Sequence, residues 1–278
     1  MKVLQKDEIK IAESILRKDL PKSFQVYGLL YAYNRNKPSN LMFIVDTWPD
    51  FKVIICRPDP ENNLALELAK KITFYCKDEQ ILKKMLLKDE VVDWSSYFIV
   101  GGIDSIHTLT LKEVASNRQV SYKPMVSAHL LYLPDHSSLI TPVFDSALES
   151  RVSPLSPSHV DLVNQTWKFG GDEHGYNKIK VQVSNMPSCC ITDDQGRPVS
   201  WILLYEYMAM GMLYTLPEHR RKGYAKVLVY TMAQTLLNQG YPVFCFIEEE
   251  NTVSYKLFKS LGFIEDPSYR ILWAQLNL

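Results

Sequence analysis

Apolar positions along the first 133 residues alternate between helical and strand spacing. Residues 5–18 carry Ile9, Ala12 and Leu16 at helical intervals and end near Pro21, so they predict a helix. Runs rich in Val, Ile, Phe and Tyr predict strands at residues 24–33, 40–46, 51–57, 95–102 and 124–133. Helical spacing predicts helices at residues 63–76, 78–89 and 103–116. This alternation of strands and helices is typical of an α/β unit.

Periodicity is lost between residues 134 and 157. This stretch collects four prolines and many serines, a composition that predicts a loop or linker. We therefore place a domain boundary near residue 145, which divides the chain into domains 1–145 and 146–278.

The second half returns to regular spacing. It predicts helices at residues 159–169, 174–184, 222–238 and 252–261. Between and after these helices it predicts strands at residues 187–193, 198–207, 209–216, 242–248 and 268–278. The order indicates a mixed sheet with helices packed on it.

Composition and charge exclude several classes of function. Of the 278 residues, Lys plus Arg and Asp plus Glu each number 31, so nothing steers the chain toward nucleic acid or an anionic membrane. Five cysteines without CxxC spacing suggest reduced thiols of an intracellular protein. The six histidines have no metal-ligand spacing, so we expect no metal. No stretch approaches the ~18 apolar residues of a membrane span.

The strongest chemical signal is a basic turn between an apolar strand and a long helix. It contains Arg220-x-x-Gly223-x-Ala225, with Arg221 and Lys222 between. A helix N-terminus offers free N–H groups and a favourable dipole to an anion, and a glycine lets a phosphate approach the backbone. The pattern favours a pyrophosphate site, although a solvated basic loop would have the same composition.

A resemblance to a known superfamily strengthens that interpretation. Arg220-x-x-Gly223-x-Ala225 resembles the acyl-CoA signature of GNAT acyltransferases, and residues 251–263 (NTVSYKLFKSLGF) resemble their second motif. Further matches are similar to glycine N-acyltransferases, among them Asp46-x-Trp48-Pro49-Asp50-Phe51, the run from Val163 to Glu173, and Thr215-Leu216-Pro217-Glu218. The matches run from about residue 15 to residue 265.

The resemblance implies an acyl-CoA:amino acid N-acyltransferase, which moves an acyl group to the amino group of glycine or a related amino acid. It implies a C-terminal GNAT fold after an N-terminal α/β domain, for which a second GNAT-like unit is one interpretation. No cofactor is expected to stay bound, and acyl-CoA is the co-substrate. The residues that it assigns to acyl-CoA are Leu213, Tyr214, Thr215, Leu216, Arg220, Arg221, Lys222, Gly223, Tyr224, Ala225 and Asn251.

The catalytic base departs from the family pattern. The position where the related enzymes carry a glutamate is Ala209 here. Glu248 is the substitute candidate, with a solvated acidic turn as its alternative; Glu206 is the nearest acid but is expected on the other face of the sheet. Phe258 replaces the usual tyrosine acid, and Tyr255 is the nearest phenol. These changes leave open a second function, a non-catalytic acyl-CoA-binding or interaction protein.

The acceptor site is expected between the first two helices of the second half. Trp167, Gly170, Gly171 and Glu173 lie there, with core packing by Trp167 and helix capping by the glycines as the alternative. The expected partners are acyl-CoA and a small amino acid such as glycine, with no nucleic acid and no membrane span, and the expected state is a monomer. The resemblance favours mitochondria, whereas acidic residues near the N-terminus are compatible with the cytoplasm.

Overall fold

The computed structural model describes residues 1–61, 71–144, 148 and 150–278. Contacts group the chain into two compact units, the first made of residues 1–129 and 266–278 and the second of residues 130–265. This grouping differs from a division at residue 145 because strand pairing, which composition does not reveal, assigns the last strand to the first unit.

The first unit is an α/β layer. Its helices are α1 (Lys6–Arg17), α2 (Phe24–Asn34), α3 (Glu79–Leu86) and α4 (Thr108–Asn117). Its strands are β1 (Lys2–Val3), β2 (Leu41–Val45), β3 (Val53–Pro58), β4 (Lys71–Cys76), β5 (Phe98–Asp104) and β6 (Tyr122–Leu133), whose last residues belong to the second unit. They are ordered β1-β2-β3-β4-β5, followed by the C-terminal strand Ile271–Leu276 and then β6. Strands β4 and β5 run parallel.

The strand predicted at residues 24–33 is wrong, since this segment is helix α2. Its aromatic and β-branched residues favour a strand locally, but every position from Phe24 to Ala32 is buried. A helix that is apolar on all sides is stable when it is enclosed on all sides, so tertiary burial overrides the local preference.

The helix predicted at residues 63–76 is also wrong in its second part. Residues 71–76 form β4, which pairs with β3 on one side and β5 on the other. Ile72, Thr73 and Phe74 are buried in succession, as in a strand covered on both faces. The rest of that prediction, residues 63–70, lies outside the described residues.

The second unit contains the remaining elements. Its helices are α5 (Val160–Thr166), α6 (Glu173–Asn185), α7 (Tyr224–Asn238) and α8 (Thr252–Ser260). Its strands are β7 (Val152–Ser153), β8 (Ser188–Thr192), β9 (Pro198–Leu204), β10 (Met210–Thr215), β11 (Val243–Glu248) and β12 (Ile264–Glu265), while β13 is Ile271–Leu276 of the first unit. The order β7-β8-β9-β10-β11 continues to the end of β6, on which β12 pairs. The helices and strands predicted for residues 159–261 are confirmed, with shifts at their ends.

Helix α7 shows why the second unit folds as its sequence predicts. Leu228, Met232 and Leu236 follow one another at four-residue spacing and are buried. The helix packs on β8 and β9, and Cys189 Sγ of β8 lies 3.6 Å from the carbonyl oxygen of Leu228. One apolar stripe therefore fixes which side of α7 faces the sheet.

Two further features bear on function. All five cysteines are in described residues and none is in a disulfide; only Cys76 is more than marginally exposed. In the ranges that the structure describes, every helix falls short of the length and apolar character needed to cross a membrane.

Candidate active site

Strands β10 and β11 diverge and open a cavity in the second unit. The two parallel strands are in register at Met210 and Cys245. Beyond that point a bulge interrupts the pairing of β10 with β9 between Gly211 and Tyr214, and Met212 takes a left-handed conformation with φ of 51°. A bulge bends its strand away from the neighbouring ladder. The resulting cavity has a volume of about 320 Å³.

The cavity wall is rich in aromatic residues and carries two charged side chains. Its aromatic lining consists of Trp167, Phe169, Trp201, Tyr205, Tyr214, Phe246 and Phe258. Lys168 and Glu248 are its charged residues, and their side chains form an ion pair of 2.6 Å between Nζ and Oε2. An apolar cleft with a few polar groups is the usual form of a small-molecule site.

Tyr205 anchors the bulged part of β10. Its phenol oxygen accepts hydrogen bonds from the indole N–H of Trp167 and the backbone N–H of Met212, and burial raises its pKa to about 12. The phenol therefore stays protonated at neutral pH. With two donors on its oxygen, its own proton is left to donate, and Tyr205 lines the cavity.

Gly211 makes this arrangement possible. A Cβ at this position would lie 2.1 Å from Cε2 of the Tyr205 ring. Neither Tyr205 nor Gly211 was predicted as a site residue from the sequence, although a glycine inside a strand is a recognised signal for a bulge or a close approach. The glycine in MGMLYT was the signal that could have found them.

The structure separates the two candidate bases. Glu248 lines the cavity, whereas Glu206 lies in the turn between β9 and β10 and outside the lining set. Gln182 Nε2 donates to Glu206 at 3.0 Å, and Lys178 Nζ is 3.8 Å from it. Ala209 is fully buried and does not line the cavity either. Of the two carboxylates, Glu248 is the one placed beside the cavity.

The remaining catalytic candidate, Tyr255, is not among the residues that line the cavity. Ser254 and Phe258 of the same helix line the cavity. Asn251, which also lines it, caps α8 by accepting a hydrogen bond from the backbone N–H of Ser254 at 3.1 Å. Residues 251, 254 and 258 lie on one face of α8, and this face borders the cavity.

The Gly170–Gly171 turn is built around Asn164, a residue of the run from Val163 to Glu173 that resembles glycine N-acyltransferases but was given no role from the sequence. The Asn164 side-chain oxygen accepts from the backbone N–H of Gly171 at 3.0 Å, and its NH₂ donates to the carbonyl of Asp172 at 3.1 Å. A Cβ on Gly170 would lie 2.2 Å from the Asn164 carbonyl oxygen. The glycines therefore shape the link between α5 and α6. Trp167 lines the cavity, while Glu173 is exposed and outside its lining.

We expect Asn164→Ala to lower the free energy of unfolding by about 2 kcal/mol, because the buried Asn164 side chain loses two hydrogen bonds to the backbone. Denaturant unfolding measures the change. Gln165→Ala is the matched control, since Gln165 is the exposed neighbour on α5. Equal effects of the two substitutions would contradict the role of Asn164.

The basic turn leads from β10 into α7 as the sequence predicts. Gly223 precedes the helix with φ of 80°, and Arg221 is also left-handed with φ of 64°. Arg220 folds back: its Nε donates to the carbonyl of Thr215 at 3.1 Å, and its guanidinium lies 5.6 Å from the centre of the Tyr214 ring. Arg221 and Lys222 are exposed. The N–H groups of Tyr224 and Ala225 at the start of α7 have no carbonyl partner within the helix, so this turn can accept an anion.

Comparison with known proteins supplies the family context. Residues 1–187 match the family described as aralkyl acyl-CoA:amino acid N-acyltransferase, and residues 190–272 match the FR47-like protein family. A glycine N-acyltransferase of Bos taurus is 30% identical, with 97% of this chain and 96% of that protein covered.

Two solved structures show the same fold. An X-ray structure of a Drosophila protein has a TM-score of 0.81 at 18% identity, covering 99% of this chain and 97% of that one. A GCN5-related N-acetyltransferase from Kribbella flavida has a TM-score of 0.56 at 13% identity, covering 91% and 93%. These likenesses confirm the GNAT fold class expected from the sequence.

Proposed function

Because the chain belongs to the aralkyl acyl-CoA:amino acid N-acyltransferase family, we propose that this acyltransferase moves an acyl group from acyl-CoA to the amino group of glycine or a related small amino acid. The observation that carries the choice of acceptor is the Lys168–Glu248 ion pair at the cavity. The similarity to a glycine N-acyltransferase supports glycine as the first acceptor to test.

The ion pair matches the charges of an amino acid. A zwitterion carries one ammonium and one carboxylate, so it can replace the partner of each side chain by binding its carboxylate to Lys168 and its ammonium to Glu248. Both side chains are partly exposed, with 63% and 34% of their surface accessible, and an exposed pair is worth little when broken. Replacing the Lys168–Glu248 ion pair by contacts to the amino acid therefore costs little free energy.

The acyl-CoA is proposed to enter from the basic turn. Its pyrophosphate lies against the first turn of α7 near Gly223, while the thioester reaches the divergence of β10 and β11. The Met212 N–H is engaged by Tyr205, and the register places Tyr214 opposite Trp201. The N–H of Leu213, which has no register partner in β9, is therefore the proposed donor to the thioester oxygen.

The proposed reaction proceeds by direct transfer. Glu248 takes a proton from the amino acid ammonium, and the free amine attacks the thioester carbon. The carbonyl oxygen gains negative charge, which the backbone N–H stabilises, and the carbon–sulfur bond then breaks. The attacking nitrogen loses its second proton to water as the carbon–sulfur bond breaks, which leaves the neutral amide. The CoA thiolate takes a proton from water, and Glu248 returns its proton to the solvent. The cleft holds the two reactants in contact, and this proximity contributes a large part of the rate enhancement.

A free-thiol release assay on the purified chain tests the function. Short, aromatic and long acyl-CoAs are each paired with glycine, glutamine and other amino acids. Thiol release that requires one amino acid supports the transfer reaction and identifies the acceptor. No release with any pair, together with CoA binding by calorimetry, would contradict the proposal and favour a binding protein on the same scaffold.

Charge reversal at Arg221 and Lys222 should weaken CoA binding. Replacing both by glutamate removes two cations and adds two anions beside the helix N-terminus, so we expect an affinity loss of about tenfold or more at low salt. Calorimetry with CoA measures it. The double variant Lys180→Glu/Lys259→Glu makes the same change in net charge at exposed positions outside the turn. A similar loss in both variants would indicate a general charge effect instead.

A further inference from the structure

The first unit contains a cavity in the same structural position as the cleft of the second unit. Strand β4 is antiparallel to β3 and parallel to β5, with α3 in the connection, just as β10 is antiparallel to β9 and parallel to β11, with α7 in the connection. The β4–β5 register covers Lys71–Ile99 and Ile72–Val100. Later residues of both strands line a cavity of about 220 Å³.

This cavity does not have the features of a CoA site. Only Lys77 and Asp78 connect β4 to α3. The Asp78 side chain accepts from the N–H groups of Gln80 and Ile81 at 3.0 and 3.1 Å, so the helix N-terminus is already occupied by a carboxylate. Glu79 adds a second negative charge in the first turn. A phosphate would meet repulsion there, so this helix N-terminus is unsuited to a phosphate group.

Two acceptors that line the cavity have unused hydrogen-bonding capacity. Gln25 is 3% exposed, lines the cavity, and its side-chain oxygen is buried without a hydrogen bond. A buried acceptor left unpaired costs about 1–3 kcal/mol, which a ligand can recover. Gly102 makes room for it, since a Cβ there would lie 2.3 Å from Gln25 Cδ.

Asp104 is the second acceptor. Its Oδ1 accepts from the backbone N–H of Ile106 at 3.1 Å, and among the residues that the structure describes its carboxylate has no ion-pair partner. Burial raises the pKa of Asp104, and this effect outweighs the Ile106 hydrogen bond and the nearby charges of His107 and Lys22, which lower it. Burial raises the pKa of the Tyr75 and Tyr269 phenols, and the nearby Asp104 charge adds to the rise in both. An ammonium group among these residues would satisfy the carboxylate and the amide oxygen together.

An exposed lysine that lines the cavity carries the charge opposite to that of Asp104. Lys22 is exposed and lines the cavity, and its charge acts on Asp104. The cavity volume of about 220 Å³ leaves room for an amino acid with a short side chain. We propose that this cavity binds a small zwitterionic amino acid, with the ammonium on Asp104 and the Gln25 oxygen and the carboxylate on Lys22. This second site is separate from the acceptor cleft lined by Glu248.

Calorimetric titration of the full chain without CoA tests this site. Glycine, methylamine and acetate are compared, because methylamine carries only the ammonium and acetate only the carboxylate. We expect saturable glycine binding, at least about tenfold tighter than either analogue. Equal affinity for methylamine and glycine, or no saturable glycine binding, would overturn the proposal.

Matched variants locate the binding. Asp104→Asn keeps an oxygen for the Ile106 N–H but removes the charge, so it should keep the fold and weaken glycine binding about tenfold or more. Ile106→Ala trims an exposed apolar residue of the same cavity and should change the affinity little. Glu248→Gln should also leave this binding intact. Binding that survives Asp104→Asn but is lost in Glu248→Gln would place the amino acid in the other cleft and overturn the proposal.

Gln25→Met supplies a readout that a purely structural glutamine would not give. It removes the unpaired buried oxygen at nearly constant volume, so the unliganded protein should melt at a higher temperature. At the same time, the rise in melting temperature that glycine produces in the unchanged protein should shrink. A lower melting temperature together with an unchanged response to glycine would contradict the assignment of Gln25.

Discussion

Glu248→Gln is expected to lower kcat by about 10²–10⁴ with the best acyl-CoA and amino acid pair, the range that general base catalysis contributes. The amide has nearly the same shape but cannot take a proton from the ammonium at neutral pH. Because free amine forms spontaneously at high pH, the defect should shrink as pH rises. Initial rates of thiol release between neutral and alkaline pH measure both effects.

Two variants control this prediction. Glu206→Gln makes the same chemical change at a carboxylate outside the cavity and should alter kcat little. Lys168→Met removes the cation that pairs with Glu248 at 2.6 Å, and should raise KM for the amino acid more than it lowers kcat, because Lys168 is assigned to the acceptor carboxylate. A large loss in Glu206→Gln with normal rates in Glu248→Gln would assign the base to Glu206.

Gly211→Ala is expected to lower the free energy of unfolding by about 3 kcal/mol and to abolish most thiol release. The new Cβ would lie 2.1 Å from the Tyr205 ring, so the ring must move. Overpacking costs about 1–3 kcal/mol, and the displaced phenol would also lose the hydrogen bonds from Trp167 and Met212. Denaturant unfolding gives the first effect and the acyl-transfer assay the second.

Gly196→Ala is the matched control for that substitution. Gly196 has φ of 77°, but nothing lies within 4 Å of a Cβ built there. It should cost only the roughly 1–2 kcal/mol of a left-handed alanine and leave thiol release unchanged. If both alanine variants have the same stability and activity, the contact between Gly211 and Tyr205 does not support the cleft.

The acyl-CoA half of the site was predictable from the sequence because its features are local. The stripe Leu228, Met232, Leu236 predicts α7, and a glycine after consecutive basic residues predicts a turn at its start. These features depend on residues close together in the chain, which makes the element order and the anion-binding turn readable without coordinates.

The acceptor half of the site was not predictable in the same way. The phenol of Tyr205 contacts Trp167 and Met212. These contacts depend on the bulge in β10 and on the position of Trp167 at the end of α5. Glu248 lines the cavity and Glu206 does not, because β10 and β11 diverge beyond their pairing at Met210 and Cys245. These two residues are thirty-five positions apart in the chain, so the divergence cannot be read from the sequence. Spacing in the sequence limits which face a side chain occupies but does not show where paired strands separate.

The two wrong elements have the same physical origin. Residues 24–33 have the aromatic and β-branched composition of a strand, and residues 71–76 continue a helical pattern, so the local signals were real. Burial on every side made the first a helix, and pairing on both edges made the second a strand. The sequence by itself determined the periodic elements, the basic turn and the family. The tertiary structure decided the fully buried segments and the cleft, because their free energy comes from contacts between residues distant in the chain.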